Sequence, residues 1–277
     1  MLKQKDRWFM SNFNLPIVIT GCQRSGTTLL LLVFNAHPSV HGIDETKFDP
    51  KQLARYLKTP EYAPAVCFKV PLIAHEVAYI ASFPGVKVLW SLRDPRDVVA
   101  SMVRLQFEHK GIKASFAAHP HVGPRVQIPL MLRALEGAPV GLREEVQLFQ
   151  GQDVIAPEDR SLDLNVTAAA LCWRLKQELL RLYRQEDVDL RIIRYEQLVA
   201  DPSSMVAEIL NFVGLPWHDQ VLTHHRFHRG KVTGDTDSTR PIDQKSMGRW
   251  RQMFSSSQLE IIERICGEKA NELGYQL

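Results

Sequence analysis

The sequence predicts an α/β fold of the P-loop type, with three layers in which helices flank a mostly parallel central sheet. Three observations lead to this prediction. The apolar segment PIVIT (16–20) is followed at once by the glycine loop GCQRSGTT (21–28). The apolar stretch TTLLLLVFNAH (27–37) comes next, which gives the strand, loop and helix order of a phosphate-binding unit. Two further strand-like segments, AVCFKV (65–70) and VKVLWSL (86–92), precede helical patterns, and such alternation favours a parallel sheet.

The composition is typical of a globular protein with one large domain. The chain has 277 residues, of which 45% are hydrophobic and 23% are charged, so a sizeable core is available. We therefore predict a single domain over residues 1–277. The net charge of +3 comes from 34 basic and 31 acidic residues, and it gives no indication of a nucleic-acid partner. Nothing in the sequence indicates the oligomeric state.

The cysteine pattern and the first apolar segment bear on location and anchoring. The four cysteines are scattered without C-x-x-C spacing, which argues against a zinc ribbon and against a disulfide framework. A reducing cytoplasm is therefore the expected location. The apolar run within residues 1–21 is only about six residues long, which is too short for a signal peptide or a membrane span. We expect neither export nor stable membrane insertion.

Turn residues set the limits of the first elements. The helix that follows the glycine loop is predicted to end before Pro38, because the residue before a proline disfavours helical geometry. A second helix is predicted over residues 71–83, where Pro71 suits the first turn. Pro84-Gly85 precedes the third strand, and Arg93-Asp94-Pro95 follows it.

The second half of the chain begins with a looser pattern. Between about 107 and 165 several prolines and histidines interrupt short helical stretches, which predicts a variable lid or acceptor-binding region. The elements predicted after it are an amphipathic helix over 167–184, a strand over 188–195, and a helix over 201–215 that is capped by Ser203 or Ser204 and ends at Gly214.

The glycine loop has the chemistry of an anion cradle. A loop between a strand and a helix N-terminus points backbone N–H groups and the positive end of the helix dipole at one spot. The hydroxyls of Ser25, Thr27 and Thr28 add donors. Thr27 occupies the position at which a nucleotide triphosphatase has its lysine, and no apolar strand ends in a metal-holding aspartate. Both observations count against a Mg-dependent triphosphatase.

A second basic motif, RDPRDVVAS (93–101), follows the third strand. Arg93 would emerge at the carboxyl end of the sheet, and Ser101 would lie about two helical turns further on. Together these two residues could bind a second phosphate. The same pattern is also a common way to start a helix.

These residues resemble a known family. The segment from Pro16 to Phe48, together with VKVLWSLRDPRDVVASM (86–102), is similar to the two phosphate sites of sulfotransferases that use 3′-phosphoadenosine 5′-phosphosulfate (PAPS). The pattern is nearest to tyrosylprotein sulfotransferases and their bacterial relatives, in RSGTTL, AHPSV, DETK and RYEQLVADPSSMVAEILNFVGLPW. The resemblance covers roughly 16–104 and 171–275. A sulfuryl donor has no β,γ-phosphate chain, so the missing P-loop lysine fits this family.

The resemblance implies a role for each matching residue. It implies that Glu45 is the general base, that Arg24 contacts the sulfuryl group, and that Lys69 stabilises the moving sulfuryl group and the bridging oxygen. Arg93 and Ser101 match the ligands of the 3′-phosphate. The complete set of expected cofactor-binding residues is Gln23, Arg24, Ser25, Gly26, Thr27, Thr28, Arg93, Ser101, Lys245 and Ser246.

The resemblance therefore implies a PAPS-dependent sulfotransferase that releases 3′,5′-adenosine bisphosphate (PAP) and needs no metal. A base such as Glu45 can draw the proton from an acceptor hydroxyl in an in-line displacement, which contributes a factor of about 10²–10⁴. The acceptor stays open between a carbohydrate, a phenol or natural product, a lipid and a tyrosine. Two other functions remain open. One is a kinase-like phosphoryl transferase, and the other is a non-catalytic nucleotide-binding protein.

The histidines offer alternatives at three places. His41 and His75 are the bases to consider if Glu45 is not the base. His224, His225 and His228 suggest a metal site, but no cysteine or carboxylate cluster accompanies them at ligand spacing, so no metal is expected. A further pair, His119 and His121, falls in the variable region as candidates for the acceptor pocket.

Overall fold

The structure is a computed structural model that describes residues 14–58, 64–109, 111–119, 121–152, 161–228, 231–232 and 236–277. The expectation of no export depends on the N-terminal segment 1–21, of which residues 1–13 lie outside the described residues, and so does the segment 153–160 of the predicted lid.

Strands and helices alternate along the described chain. The strands are β1 (Leu15–Gly21), β2 (Val40–Asp44), β3 (Ala65–Lys69), β4 (Lys87–Leu92), β5 (Gln106–His109), β6 (Ile112–Ser115), β7 (Asp189–Arg194), β8 (Lys231–Val232) and β9 (Thr236–Asp237). The α-helices are α1 (Thr27–Asn35), α2 (Leu53–Lys58), α3 (Val77–Ala81), α4 (Pro95–Arg104), α5 (Pro124–Ala134), α6 (Val140–Gln152), α7 (Leu162–Gln185), α8 (Tyr195–Ala200), α9 (Pro202–Val213) and α10 (Ser256–Glu272). Short 3₁₀ turns cover Pro50–Gln52, Pro71–Ile73, Phe116–Ala118, Asp219–Arg226 and Arg249–Gln252.

The central sheet confirms the predicted fold class. Its five strands run in the order β2-β3-β1-β4-β7, and every neighbouring pair is parallel. Almost every residue of β1, β3 and β4 is buried, which explains their continuous apolar sequences, since a strand covered on both faces has no polar side. All five strands therefore end at one edge of the sheet, where the loops that follow them begin.

The chain divides into two compact units. The first comprises residues 1–21, 26–92 and 183–244, and it contains the five-stranded sheet. Its hydrophobic core joins β1 to helices α1 and α9 through Ile17, Leu30, Phe34 and Ile209, all of which are almost completely buried. The prediction of one domain over residues 1–277 stays a prediction.

The second unit comprises residues 22–25, 93–182 and 245–277. Its helix α7 is buried along much of its length, and Trp173 donates a hydrogen bond of 3.1 Å from Nε1 to the Arg93 carbonyl. Where the sequence predicts a variable region at about 107–165, the described residues form the β5–β6 hairpin and helices α5 and α6. A lid or acceptor-binding role for this region stays a prediction.

Several local expectations need correction. The helix predicted over 71–83 is a 3₁₀ turn followed by the short helix α3. Asp201, rather than Ser203 or Ser204, caps α9, because its carboxylate accepts a hydrogen bond from the Ser204 amide. Gly214 ends that helix in a left-handed conformation, as expected. Strand β2 and helix α10 had not been predicted.

Gly21 makes the turn from β1 into the glycine loop, and we expect its replacement to destabilise the protein. Its φ is +112°, and a Cβ there would lie 2.5 Å from the Ser91 carbonyl oxygen of β4. Gly21→Ala should lower the free energy of unfolding by at least about 2 kcal/mol, because both the backbone conformation and the contact would be strained. Urea unfolding followed by circular dichroism measures this loss.

Gly141→Ala is the matched control for that prediction. Gly141 lies in helix α6, and a Cβ there would meet nothing within 4 Å. Alanine is a better helix former than glycine, so stability should be kept or slightly raised. Equal midpoints for the Gly21→Ala variant and the wild type would contradict the described geometry of the loop.

Candidate active site

The first unit contains the helix end that follows the glycine loop. Helix α1 starts at Thr27 after Gly26, whose φ of 95° places it in the left-handed region. The first turn of α1 has no acidic residue, so nothing there neutralises the positive end of the helix dipole. Thr27 and Thr28 are both buried. A buried helix N-terminus with hydroxyl-bearing residues suits the anion predicted from the sequence.

The ring of Tyr195 packs against the backbone at the start of this helix. A Cβ on Gly26 would lie 2.6 Å from Cδ2 of Tyr195, so glycine alone lets the tyrosine ring pack directly against the backbone. Tyr195 is buried and begins helix α8 at the end of β7. The position of Tyr195 and Glu196 directly after a strand predicts that they tie the sheet to neighbouring helices rather than perform chemistry, and the ring of Tyr195 lies against Gly26.

Lys69 lies between two carboxylates at the carboxyl edge of the sheet. Its Nζ is 2.9 Å from Oδ2 of Asp44 and 3.0 Å from Oε1 of Glu45, and its side chain is only 2% exposed. Strands β2 and β3 pair in parallel with Asp44 opposite Lys69, which brings the two strand ends together. The other oxygen of Glu45, Oε2, accepts a hydrogen bond of 3.3 Å from the Leu72 amide. Glu45 and Lys69, which the resemblance pairs only by role, are thus in direct contact.

Asp44 is the member of this cluster that sequence reasoning missed. Burial raises the cost of ionising its carboxyl, but Lys69 and the hydrogen bonds from Thr46 outweigh that cost and hold the pKa of Asp44 below its usual value. The carboxylate is therefore ionised at neutral pH. The signal in the sequence is the pair of adjacent acids in DETK, of which only Glu45 had been assigned a role.

The two histidines kept as alternative bases lie on either side of this cluster in the sequence. His41 lies on β2 with an exposed side chain, and partial desolvation of its ring, followed by the charge of Lys47, lowers its pKa. His75 pairs with Glu76 at 3.2 Å. Of the three candidate bases, Glu45 is the one that accepts a hydrogen bond from Lys69 among the described residues.

The second unit contains the loop arginine, Arg24. Arg24 has a φ of 70°, and among the described residues it is the only one other than glycine with a positive φ. This conformation costs about 1–2 kcal/mol, and such strain is concentrated at functional sites. The Nε of Arg24 donates a hydrogen bond of 2.9 Å to the hydroxyl of Ser101 on helix α4. Two predicted cofactor ligands, which are 77 residues apart in the sequence, are therefore in contact.

Arg93 is the centre of a buried polar cluster in the same unit. It is 6% exposed, and its guanidinium donates hydrogen bonds to the carbonyl oxygens of Arg24, at 3.2 Å, and of Ser246. Asp97, one helical turn along α4, lies 3.5 Å from Arg93 and accepts a hydrogen bond of 2.8 Å from the Gly248 amide. Arg24, Ser101, Arg93, Asp97 and the Ser246 carbonyl thus form one polar cluster. Its two guanidinium groups and the Ser101 hydroxyl are the groups that fit a phosphate chemically.

The remaining predicted ligands are placed differently. Gln23 is buried, and its amide donates a hydrogen bond of 2.5 Å to the Gln127 side chain on α5, so this residue ties the loop to the variable region. Lys245 is exposed, and its carbonyl oxygen accepts a hydrogen bond of 2.9 Å from Arg249. The cofactor-binding roles of Gln23 and Lys245 stay predictions.

His119 and His121, the candidates for the acceptor pocket, lie in an aromatic cluster of the second unit. The His119 ring is 5.4 Å from the Phe107 ring and 5.9 Å from the His121 ring, measured between centroids. His119 is buried and His121 is exposed. A role in acceptor binding stays a prediction for both.

Among the described residues, no group of three or more His, Cys, Asp or Glu side chains could hold a metal ion. Within the same residues, no helix is both long enough and apolar enough to cross a membrane.

The buried histidine His224 is expected to make the free energy of unfolding depend on pH. Burial, followed by the charges of His225 and His228, lowers its pKa to about 4. An unfolded histidine has a pKa of about 6.5, so the unfolded chain binds more protons between these two values and stability falls as the pH drops through this window. Between pH 7.5 and 5 the loss due to His224 is expected to reach about 2 kcal/mol.

Urea unfolding of the wild type and of His224→Leu at both pH values tests this expectation. The variant should lose less stability on acidification than the wild type, because leucine cannot take up a proton. His121→Asn supplies a comparison variant in which an exposed histidine is replaced. If His224→Leu had the same pH dependence as the wild type, His224 would not be the cause of the loss of stability at low pH.

Comparison with known proteins gives a match over almost the whole chain. A family model described as the sulfotransferase domain matches residues 15–274. The protein-tyrosine sulfotransferase of Drosophila melanogaster is 24% identical over 88% of this chain and 48% of its own length. Protein-tyrosine sulfotransferase 1 of Danio rerio is 23% identical over 87% of this chain and 67% of its own length. The chain thus spans about half the length of the Drosophila protein.

Two solved structures share the fold. The sulfotransferase domain from the curacin biosynthetic pathway superposes with a TM-score of 0.54 at 15% identity, and the match covers 95% of this chain and 98% of that domain. The sulfotransferase domain from the Synechococcus PCC 7002 olefin synthase gives a TM-score of 0.53 at 16% identity, with 95% of each chain covered. At these identities the likeness concerns the fold alone.

Proposed function

Because the chain belongs to the sulfotransferase domain family, we propose that it transfers the sulfuryl group of PAPS to a hydroxyl group of an acceptor. The observation that supports this most strongly is the buried contact of 3.0 Å between Lys69 and Glu45. It joins a cation, which can stabilise negative charge, to a carboxylate, which can accept a proton. Sulfuryl transfer to a hydroxyl requires both functions.

The chemistry of the donor set fits PAPS. The loop lacks the P-loop lysine, which a sulfuryl donor does not need, and the first turn of α1 has no acid to repel an anion. Ser25, Gly26, Thr27 and Thr28 would hold the 5′-phosphosulfate through backbone N–H groups and hydroxyls. Arg93 and Ser101 would hold the 3′-phosphate, and Arg24 would contact the sulfuryl group.

Glu45, Lys69 and the Leu72 amide of the first unit each have a task in the proposed reaction. PAPS supplies the sulfuryl group when it is bound, and PAP is released. Glu45 accepts the proton of the acceptor hydroxyl at one of its carboxylate oxygens. Lys69 keeps its ammonium charge and donates toward the negative charge that develops during transfer. The Leu72 amide holds Glu45 in place from the other side.

The relatives suggest which acceptor to examine first. The relatives from Drosophila melanogaster and Danio rerio are named protein-tyrosine sulfotransferases, so we propose the phenolic hydroxyl of a tyrosine as the first acceptor class. A carbohydrate, a lipid or a phenolic natural product would use the same base.

Transfer of ³⁵S from labelled PAPS tests the proposal. The protein should label a tyrosine-containing peptide, while the same peptide with phenylalanine in place of tyrosine stays unlabelled. Label on a carbohydrate, a lipid or a small phenol instead would keep the sulfotransferase and replace the acceptor. Absence of label on all four classes, in a protein that is folded by circular dichroism, would contradict the proposed activity.

A further inference from the structure

We propose that Asp44 is a positioning residue that holds the Lys69 ammonium and so keeps Glu45 basic enough to accept the proton from the acceptor. This inference rests on the proposed function, in which Glu45 is the base. Asp44 Oδ2 lies 2.9 Å from Lys69 Nζ, slightly nearer than the 3.0 Å of Glu45 Oε1. The ammonium therefore has two carboxylate partners, and only one of them has a chemical task so far.

Charge balance gives the reason for a second carboxylate. Lys69 is almost completely buried, so its charge is poorly solvated and needs a partner. A carboxylate that is the sole partner of a buried ammonium is stabilised in its ionised form, which makes it a weak base. With Asp44 present, the cluster contains two negative charges and one positive charge. The repulsion between the carboxylates favours protonation of one of them.

The geometry assigns that proton to Glu45 rather than to Asp44. Asp44 Oδ1 accepts hydrogen bonds from the Thr46 amide, at 3.1 Å, and from the Thr46 hydroxyl, at 3.0 Å, while Oδ2 contacts Lys69. Both oxygens thus have donors that favour the ionised form. In contrast, Glu45 has one bond of 3.0 Å from Lys69 and one of 3.3 Å from Leu72. The more weakly held carboxylate is the better proton acceptor.

The other charged groups that lie near this cluster in the sequence are either exposed or interact with other residues. On strand β2 and the turn after it, His41 and Lys47 are both exposed. The carboxylate of Asp49 accepts hydrogen bonds from Lys51 and Gln52. Beyond β3, His75 pairs with Glu76. Among the described residues, Lys69 forms its ion pairs with Asp44 and Glu45.

The two carboxylate oxygens of Asp44 have different partners, Thr46 and Lys69. The charge of Asp44 can therefore be removed while its hydrogen bonds with Thr46 are kept. In Asp44→Asn the side-chain carbonyl can still accept from Thr46, while an uncharged amide replaces the oxygen that contacts Lys69. Thr46→Val is the matched control, because it removes the hydroxyl bond to Oδ1 and leaves the contact with Lys69 intact. Urea unfolding identifies any variant that is not folded.

The test is the pH dependence of kcat/KM with labelled PAPS and the best acceptor from the transfer assay. In Asp44→Asn we expect kcat to fall about tenfold near pH 7 and the acid limb of the profile to move about one pH unit lower. Thr46→Val should keep the limb of the wild type. A fall in kcat at every pH with an unmoved limb would show a merely structural role and overturn the inference.

A ¹³C titration of the side-chain carboxyl carbons tests the inference independently of the proposed function. The Glu45 signal, assigned from its absence in Glu45→Gln, should titrate at lower pH in Asp44→Asn than in the wild type. This readout needs no acceptor and no turnover, so it tests the coupling even if Glu45 is not the base. Equal titration midpoints in the two proteins would overturn the inference, whatever the activity assay shows.

Discussion

Glu45→Gln is expected to lower turnover by two or more powers of ten and to leave the affinity for PAP nearly unchanged. Glutamine has almost the same shape and can still accept a hydrogen bond from Lys69, but it cannot accept a proton. A positioned general base typically contributes a factor of about 10²–10⁴, so its loss should appear in kcat. Rates of ³⁵S transfer and calorimetric titration with PAP measure the two quantities separately.

A second glutamate supplies the control for this variant. Glu76 is 56% exposed at its side chain and pairs with His75, so Glu76→Gln makes the same change of charge outside the cluster of Asp44, Glu45 and Lys69. Its turnover should equal that of the wild type. Full activity of Glu45→Gln would exclude Glu45 as the base and would bring His41 and His75 forward as the alternatives.

Arg93→Ala is expected to weaken PAP binding by about 30-fold or more, which is about 2 kcal/mol. The guanidinium is buried, and it is the proposed ligand of the 3′-phosphate. Its hydrogen bonds to the carbonyl oxygens of Arg24 and Ser246 also hold the cluster together, so the loss of preorganisation adds to the loss of charge. Calorimetric titration of the folded variant with PAP measures the change.

Lys87→Ala separates this effect from a general loss of positive charge. Lys87 starts the same strand that Arg93 follows, and it pairs with Asp189 at the opposite end of that strand. The variant therefore changes the net charge by the same amount away from the proposed phosphate site, and its affinity for PAP should stay within about twofold of the wild type. Equal losses in Arg93→Ala and Lys87→Ala would remove Arg93 from the 3′-phosphate site.

Local pattern was sufficient to predict the elements that position the site. The runs PIVIT, AVCFKV and VKVLWSL are buried strands because both of their faces are covered, and such runs are visible in a sequence. The glycine loop and the helix after Asp94-Pro95 also follow from local rules, since the Asp94 side chain caps α4 and Pro95 occupies its first turn.

Strand β2 and helix α10 differ in how well their sequences indicate them. Strand β2 is an edge strand with the sequence VHGID, in which only two residues are buried, so no apolar run indicates it. Helix α10 did have a signal. Ser255 and Gln258 form a capping box, and this S-x-x-Q spacing can be recognised in a sequence.

The tertiary contacts of the candidate site could not be predicted from the sequence alone. Resemblance suggested roles for Glu45 and Lys69, but their contact of 3.0 Å and the second carboxylate, Asp44, depend on the pairing of β2 with β3. Asp97 accepts from the Gly248 amide across 151 residues of sequence. Contacts over such separations arise from the packing of elements, and no local periodicity records them.

The most direct test of the central claim is a calorimetric titration of the purified protein with PAP and, separately, with ATP, both in EDTA. If the protein uses PAPS, PAP should bind with micromolar affinity and ATP should bind little, because the loop has no lysine for a triphosphate chain and Arg93 is the proposed ligand of a 3′-phosphate. A preference for ATP that appears only when Mg²⁺ is restored would contradict the account and would favour a kinase-like phosphoryl transferase.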